Sequence, residues 1–290
     1  MKKTFYKFIA SLPGVRDGLQ QVNHLAADLS VLRALISSRS YRAEMENSPR
    51  YQDPLRLPRY AFQVNSQNGE DGILQEIFRR IGAQDKTFVE IGVGDGAQNN
   101  TAFLLSLGWR GYWIDGNAAF LQTIQNRADL AGCISSRVSY VSRENICPLF
   151  AEMNIPLEFD LFSLDVDQNT YYIWESLSNY RPRVVVVEYN AFIPPQVNWK
   201  VNYAAERIWD GSQNFGASLK AYEILGSQMG YALVGCDFSG ANAFFVRQDL
   251  IAENFSAPFT AENHYETPKY GYINWRGRRK ATILDRASSS

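Results

Sequence analysis

The architecture of this chain can be inferred from one stretch, Thr87-Phe88-Val89-Glu90-Ile91-Gly92-Val93-Gly94-Asp95-Gly96. Its apolar half predicts a buried strand, and three alternate glycines follow that strand. Glycine lets the backbone turn sharply and approach a ligand because it has no Cβ. A helix after such a turn offers free N–H groups at its start, so the stretch is typical of a nucleotide-binding turn.

A second acid supports this interpretation. The next apolar run, Gly111-Tyr112-Trp113-Ile114-Asp115, ends in Asp115 about 20 residues after the glycines, where parallel sheets carry a ribose-binding carboxylate. We therefore predict that Asp115 binds the ribose of a nucleotide cofactor.

The acid before the glycines indicates which nucleotide cofactor the turn binds. Gly92 to Ala97 also satisfy the dinucleotide pattern G-x-G-x-x-A. However, Glu90 suits the cationic methionine end of S-adenosylmethionine, whereas a pyrophosphate prefers a helix N-terminus without a nearby acid. The sequence favours S-adenosylmethionine. A dinucleotide oxidoreductase and a tight structural turn remain alternatives.

Composition limits the class of protein. The 290 residues, 46% hydrophobic and 13% aromatic, fit one well-filled domain with an appendage. A net charge of -1 argues against a nucleic-acid binder, which needs a broad basic surface. The three cysteines lack C-x-x-C spacing and predict reduced thiols in a cytoplasmic protein.

The N-terminal part is predicted to form a helical arm. Lysines and apolar residues alternate between Met1 and Leu12, which fits either a peripheral membrane contact or a frayed terminal helix. A helix is predicted from Leu19 to Ala43. Its apolar residues alternate at spacings of three and four, so it either pairs with a second copy in a homo-oligomer or packs on the main domain. These residues are Val22, Leu25, Leu29, Leu32 and Ile36.

Three prolines within 46–62 predict an extended linker after this helix. The chain then divides into an arm and linker (1–62), a cofactor-binding domain (63–255) and a C-terminal lid with a basic tail (256–290). We expect the arm to be dispensable for folding.

From residue 63 onward, strand and helix signals alternate, which predicts an α/β fold with a parallel sheet covered on both faces. Two final strands around Ser239–Asn242 predict an antiparallel hairpin. A helix is expected over 70–82. The seven expected strands are 88–91, 112–115, 138–141, 161–165, 183–188, 231–237 and 243–247.

Several separated motifs carry a resemblance to a known family. They are Ser66-Gln67-Asn68-Gly69-Glu70-Asp71-Gly72, the turn from Glu90 to Gly96 with Asn99-Asn100-Thr101, Asp165-Val166-Asp167, and Glu188-Tyr189-Asn190. With these motifs, residues 63 to 250 resemble the FkbM-type methyltransferases of polysaccharide and natural-product biosynthesis. The resemblance implies a seven-stranded class I methyltransferase (Rossmann-like) fold and methyl transfer from S-adenosylmethionine to a sugar or glycan hydroxyl. The turn departs from the family in its glycine-rich form.

The resemblance also implies roles for single residues. Glu90, Gly92 and Gly94 would hold the methionine end of the cofactor. Ser66 and Gln67 would cover it from the other side, although the same residues can cap the helix that follows.

Acids at two strand ends predict an acceptor site. Asp165, Asp167, Glu188 and Asn190 should meet at the carboxyl edge of the sheet. Such oxygen ligands suit Mg²⁺ or Mn²⁺, in an arrangement similar to the metal site of catechol O-methyltransferase. Without metal, one carboxylate would take the acceptor proton. Acids at strand ends also cap loops or bind arginine, which is the alternative.

The two histidines receive different predictions. His264 lies in a polar stretch after the last strand, so it is either a general base on a lid or a plain surface residue. His24 is expected to face solvent on the arm helix. A non-catalytic scaffold in polysaccharide assembly remains a second alternative to the enzyme.

Overall fold

The structure, a computed structural model, describes residues 13–269. The strands are β1 (Thr87–Ile91), β2 (Arg110–Asp115), β3 (Ile134–Val138), β4 (Leu161–Leu164), β5 (Val184–Glu188), β6 (Tyr231–Cys236) and β7 (Asn242–Arg247). The helices are α1 (Pro13–Asn47), α2 (Pro49–Gln52), α3 (Glu70–Ile81), α4 (Ala102–Ser106), α5 (Ala118–Gln125), α6 (Ile146–Glu152), α7 (Thr170–Glu175), α8 (Leu219–Gln228) and α9 (Ala261–His264).

All seven strands form one sheet in the order β3-β2-β1-β4-β5-β7-β6. The first five are parallel, whereas β7 runs antiparallel to both β5 and β6. This order is the seven-stranded class I methyltransferase arrangement, so the predicted fold is confirmed. The chain leaves β1 toward one edge and returns as β4 on the other side of β1, which opens a crevice at the carboxyl ends of these two strands.

The sheet is covered on both faces. In β5, Val185 and Val187 belong to one hydrophobic cluster, and Val184 and Val186 belong to the other. Alternate residues of a strand point to opposite faces, so a strand that is apolar throughout is buried on both faces of the sheet. This packing fixes β4 and β5, whose ends carry the candidate acids.

Strand β3 differs from its prediction. It spans Ile134–Val138 rather than 138–141, and Val138 pairs with Asp115 at the end of β2. The strand is polar and partly exposed because it lies at the sheet edge, so its sequence lacks a buried apolar run. As a result, residues 139–141 lie in the loop above the sheet edge.

The predicted extended linker over 46–62 is wrong. This segment contains α2 and a short 3₁₀ turn, Pro58–Tyr60, and it buries Tyr51 and Leu57 in the core. The guanidinium of Arg80 on α3 donates hydrogen bonds to the carbonyls of Pro54 and Leu55. These contacts make the segment part of the main body.

The C-terminal segment meets the N-terminal one at Glu266, which is buried. Its carboxylate accepts hydrogen bonds from Arg50 at 3.1 Å and from the Tyr51 hydroxyl at 2.7 Å. Its backbone carbonyl accepts one from the hydroxyl of Tyr189 at 2.8 Å. Two segments from opposite ends of the described chain are therefore joined next to the end of β5.

Truncation can measure how much of the arm the body needs. A chain that begins at Ser38 retains Tyr41, Tyr51 and Leu57, all of which are buried. A chain that begins at Gln63 loses all three. We expect the shorter chain to lose on the order of 5 kcal/mol, since each buried side chain contributes about 1.5–3 kcal/mol, and urea unfolding measures the difference. Equal unfolding midpoints for the two chains would mean that residues 38–62 are dispensable for folding, as the sequence predicts.

Within 13–269, no helix combines the length and apolarity needed to span a bilayer. His24 is exposed, as expected. The predicted membrane contact between Met1 and Leu12 and the basic tail after Lys269 lie outside the described residues.

Candidate active site

The glycine turn connects β1 to the cavity above the sheet. Gly92 and Gly94 have φ angles of +85° and +59°, a region that side chains other than glycine rarely occupy. A Cβ on Gly92 would lie 1.7 Å from the carbonyl oxygen of Asp165, whereas a Cβ on Gly94 would have no heavy atom within 4 Å. Gly92 thus permits close approach of the ends of β1 and β4, and Gly94 borders open space in the cavity.

Asp115 is tied to this turn. One of its carboxylate oxygens accepts a hydrogen bond from the N–H of Gly94 at 2.9 Å, and the other accepts one from the N–H of Asn117 at 2.7 Å. The structure therefore brings together the glycines and the second-strand acid. Ribose binding by Asp115 stays a prediction.

Glu90 accepts hydrogen bonds from the loop that follows the glycine turn. Its buried carboxylate accepts hydrogen bonds from the N–H groups of Asn100 and Thr101, from the Asn99 amide at 2.6 Å and from the Ser163 hydroxyl. Both oxygens are used. Glu90 therefore holds the loop after the turn, and it also lines the cavity beside Gly92 and Gly94. Its contact with the methionine end of the cofactor stays a prediction.

Ser66 is also structural. It is fully buried, and its hydroxyl accepts a hydrogen bond from the N–H of Asp71 in the first turn of α3 at 3.0 Å. The capping alternative is therefore the correct one for Ser66, and the prediction that it covers the cofactor is wrong. Gln67 is exposed and lines the cavity, so its contact with a cofactor stays a prediction.

Three of the predicted acids do meet. Asp165 and Asp167 follow β4, and Glu188 ends β5. Each offers a carboxylate oxygen, and these three oxygens lie within 4.8 Å of one another. Asp167 has a φ of +55°, an uncommon backbone conformation for a residue with a side chain, which the loop imposes as it brings this acid to the cluster.

The environment of this acidic centre (Asp165, Asp167 and Glu188) disfavours three negative charges. Asp165 is open to solvent through the cavity, yet the protein packed around its carboxyl group, and after it the charge of Asp167, raises its pKa to about 7. Burial also raises the pKa of Glu188 well above its usual value, with the two aspartates adding to the shift. Oxygen Oε2 of Glu188 is buried and has no hydrogen-bond partner. Either a proton or a cation would relieve the repulsion.

The donor set fits a hard divalent ion. Carboxylate oxygens are the ligands that Mg²⁺ and Mn²⁺ prefer, and three of them converge here. A bound ion would stabilise a developing alkoxide and lower the pKa of an acceptor hydroxyl.

Asn190 does not belong to this group. Its side-chain amide donates hydrogen bonds to the carbonyls of Gln213 and Phe215, and its oxygen accepts one from the N–H of Phe192. The prediction that Asn190 is a metal ligand is therefore wrong, because its side chain holds the loops beyond β5.

His264 is also placed elsewhere. It lies buried at the end of α9 and does not line the cavities beside the acids. Burial, and after it the positive charges of Arg56 and Arg50, lowers its pKa to about 3. A histidine in this position takes up no proton near neutral pH, so both predicted alternatives, general base and surface residue, are wrong.

Two adjoining cavities of about 400 and 410 Å³ share Gly92, Gly94 and Asp165. The first, the ribose-side cavity, contains Asp115 and Asp167. The second, the amide-side cavity, reaches Glu188 and the amides of Asn99 and Asn242. The side-chain oxygens of these two buried asparagines have no hydrogen-bond partner, so this wall favours a ligand that donates hydrogen bonds.

Sequence reasoning missed three residues of the ribose-side cavity: Tyr140, Arg207 and Trp209. The exposed ring of Tyr140 lies over Gly116, beside Asp115, and offers a stacking surface for an aromatic base. The sequence predicts Tyr140 within a strand over 138–141, whereas β3 ends at Val138 and Tyr140 lies in the loop. Arg207 and Trp209 belong to a long irregular loop whose position a sequence pattern does not indicate.

No protein-family model matches the chain, and no curated protein matches it. Solved structures do. The methyltransferase domain of bacterial CtHen1-C is 14% identical, with a TM-score of 0.40 over 63% of this chain and 98% of that one. CalO1, a methyltransferase in calicheamicin biosynthesis in its SAH-bound form, is 16% identical, with a TM-score of 0.36 over 60% of this chain and 54% of CalO1.

A third similar structure is the CcbJ methyltransferase from Streptomyces caelestis, 11% identical, with a TM-score of 0.38 over 67% of this chain and 96% of CcbJ. The chain thus spans little more than half the length of CalO1 and nearly all of the other two. The assignment of this chain to the class I methyltransferase fold rests on its own strand order, β3-β2-β1-β4-β5-β7-β6.

Proposed function

We propose that this protein is an S-adenosylmethionine-dependent O-methyltransferase of the FkbM type, which acts on a sugar or glycan-linked hydroxyl in surface polysaccharide biosynthesis. One observation carries the proposal. A single cavity contains the glycine turn, the acid at the end of β2 and two acids that follow β4. A nucleotide cofactor and an acceptor hydroxyl can therefore meet within one site.

The cofactor would lie across the carboxyl ends of β1 and β2. Asp115 would bind the ribose hydroxyls, and Tyr140 would stack on the adenine. The cationic methionine end would lie toward the amide-side cavity, whose unpartnered amide oxygens can accept hydrogen bonds from an ammonium group.

The acidic centre would act on the acceptor. In the transfer, the acceptor oxygen forms a bond to the methyl carbon as the carbon–sulfur bond breaks, and the hydroxyl proton leaves. A carboxylate of the centre takes that proton directly. Alternatively, the three carboxylates would hold a divalent ion, which would make the hydroxyl more acidic so that it loses its proton to water. Neither route needs the buried His264.

Calorimetry separates this proposal from its rival. We expect S-adenosylhomocysteine to bind the protein and NAD not to bind, because Asp115, Asp165 and Asp167 line the cavity and would repel a pyrophosphate. Binding of NAD alone would replace the methyltransferase with a dinucleotide oxidoreductase. Binding of neither would favour a scaffold.

The Asp115→Ala variant tests where the cofactor lies. We expect it to weaken S-adenosylhomocysteine binding by about 1.5 to 3 kcal/mol, which is the loss of a charge-assisted hydrogen bond. The matched control is Asp85→Ala, which removes the same charge from an exposed position before β1, at the opposite edge of the sheet, and should change affinity much less. Equal affinity of wild type and Asp115→Ala would place the nucleotide elsewhere.

A further inference from the structure

Helix α1 carries a row of exposed apolar side chains. Six of them recur at positions that differ by three, four or seven residues, and their exposed fractions lie between 37% and 65%. They are Val15, Val22, Leu25, Leu29, Leu32 and Ile36. We name these six residues the seam. A helix in water does not keep such a row uncovered without a partner, since large exposed apolar patches mark interaction sites.

The opposite face of the same helix is already used. Ala34, Ser37 and Tyr41 are buried, and the Tyr41 ring contacts Phe238 of the main body at 5.4 Å between centroids. In heptad positions, where Val15 and Ile36 are a, these three residues are f, b and f. Positions b and f lie across the helix from a and d. The main body therefore contacts one face of α1, and the seam lies on the opposite face.

We propose that two copies of this chain associate through the seam as a parallel two-stranded coiled coil. The residue types at the a and d positions are those that favour a coiled coil of two helices. The a positions of the seam are Val15, Val22, Leu29 and Ile36, of which three are β-branched, and the d positions Leu25 and Leu32 are leucine. Val15 extends the pattern to three heptads, and the d position between Val15 and Val22 is glycine.

Charges beside the seam fit a parallel pairing. In a parallel coiled coil, a g residue of one helix faces the e residue five positions later on its partner. Asp28 occupies g, and the sequence places Arg33 five residues later at e. The symmetric dimer therefore gains two pairs of opposite charge and no like-charged g–e pair over these heptads.

The two bodies do not obstruct this arrangement. Each body packs on the b and f side of its own helix, at the C-terminal end of α1. In a parallel dimer they lie at the same end of the coil and on opposite outer sides. The pairing is therefore compatible with the position of the body.

A membrane surface fits the seam less well. Helices that lie on anionic bilayers are rich in lysine and arginine on their polar face. Residues 13–36 contain two arginines, Arg16 and Arg33, and two acids, Asp17 and Asp28, so they have no net positive charge.

The test is the mass of the full-length protein in solution, measured by light scattering after size exclusion at several concentrations. We expect a dimer for wild type and a monomer for Leu25→Asp/Leu32→Asp. The matched control is Val31→Asp, which adds a charge at an exposed apolar residue of the same helix outside the seam and should remain a dimer. All three should unfold in one cooperative transition, because the seam is not part of the core, and the midpoint of the monomeric variant should be lower only by the stabilisation that the dimer adds.

Several outcomes would overturn the proposal: a monomeric wild type, a trimer, a dimer that survives the double substitution, or a monomer that binds vesicles of anionic lipid. Strand direction needs a further measurement. Val15→Cys should cross-link to its own copy under oxidation, beyond any reaction of the native cysteines seen in wild type. Absence of this cross-link in a confirmed dimer would overturn the parallel arrangement.

Discussion

Substitution of Asp165 by asparagine is expected to reduce methyl transfer by a factor of about 10² to 10⁴ while S-adenosylhomocysteine binding changes little. Asparagine has almost the same shape as aspartate but neither takes up a proton nor carries the charge that holds a divalent ion. The measurement is turnover with the true acceptor, together with calorimetry of the cofactor product. Asp85→Asn, at the opposite edge of the sheet, is the control. Full turnover in the Asp165→Asn variant would remove the acidic centre from the reaction.

Chelation distinguishes the two forms of this chemistry. If the centre holds a divalent ion, EDTA should abolish turnover and added Mg²⁺ or Mn²⁺ should restore it. If a carboxylate takes the proton directly, turnover should survive EDTA and fall as the pH drops below about 7, where Asp165 becomes protonated.

Stability offers a readout that does not depend on activity. The pKa of Asp165 is about 7 in the folded protein and 3.8 ordinarily, so the folded state binds this proton more tightly than the unfolded chain. The unfolding free energy of wild type should therefore fall as the pH rises from about 4 to about 7. Asp165→Asn removes this loss. Since solvent reaches Asp165, we expect the variant to gain only on the order of 1 kcal/mol at pH 8, and less at pH 5. An equal difference at both pH values would contradict the assigned electrostatics.

Substitution of Gly92 by alanine is expected to have the second large effect. Its new Cβ would lie 1.7 Å from the backbone oxygen of Asp165, and backbone cannot move aside as a flexible side chain can. The ends of β1 and β4 would have to separate, which displaces the glycine turn and Asp165 together. We expect loss of measurable cofactor binding and a destabilisation of several kcal/mol, measured by calorimetry and urea unfolding.

Gly132→Ala provides the control for backbone conformation alone. Gly132 also has a positive φ, +80°, but a Cβ there would have no heavy atom within 4 Å. Its cost should be about 1 kcal/mol, the ordinary strain of a left-handed residue. Similar losses in the two variants would mean that conformation, and not the contact with Asp165, makes Gly92 necessary.

The sheet could be predicted because its signals are local. The apolar runs that end at Asp115 and Glu188 and the turn residues between β6 and β7 specify strands and their direction without knowledge of distant contacts. Strand β3 was misplaced because an edge strand with exposed polar residues has no such run.

The site was harder to predict because the same residue type serves two purposes. Glu90 and Asp115 lie at or near the ends of neighbouring strands and both line a cavity, yet Glu90 is buried under several hydrogen bonds from the loop after the turn, whereas Asp115 is half-buried and accepts one hydrogen bond at each oxygen. A sequence shows that a carboxylate is present, but the N–H groups that reach it depend on the fold of the following loop. His264 was misjudged for the same reason, since the arginines that face it come from the N-terminal part of the chain.

Glu266 has a consequence for biosynthesis of the chain. This residue joins the segment around Arg50 and Tyr51 to the end of β5, and it follows that segment by about 215 residues. On the ribosome, the first helices emerge long before their partner has been translated. We therefore expect these contacts at the end of β5 to form late, because closing a loop of more than 200 residues is slow. A nascent chain stalled before Glu266 would carry the sheet but would leave Arg50, Tyr51 and the Tyr189 hydroxyl without their partner.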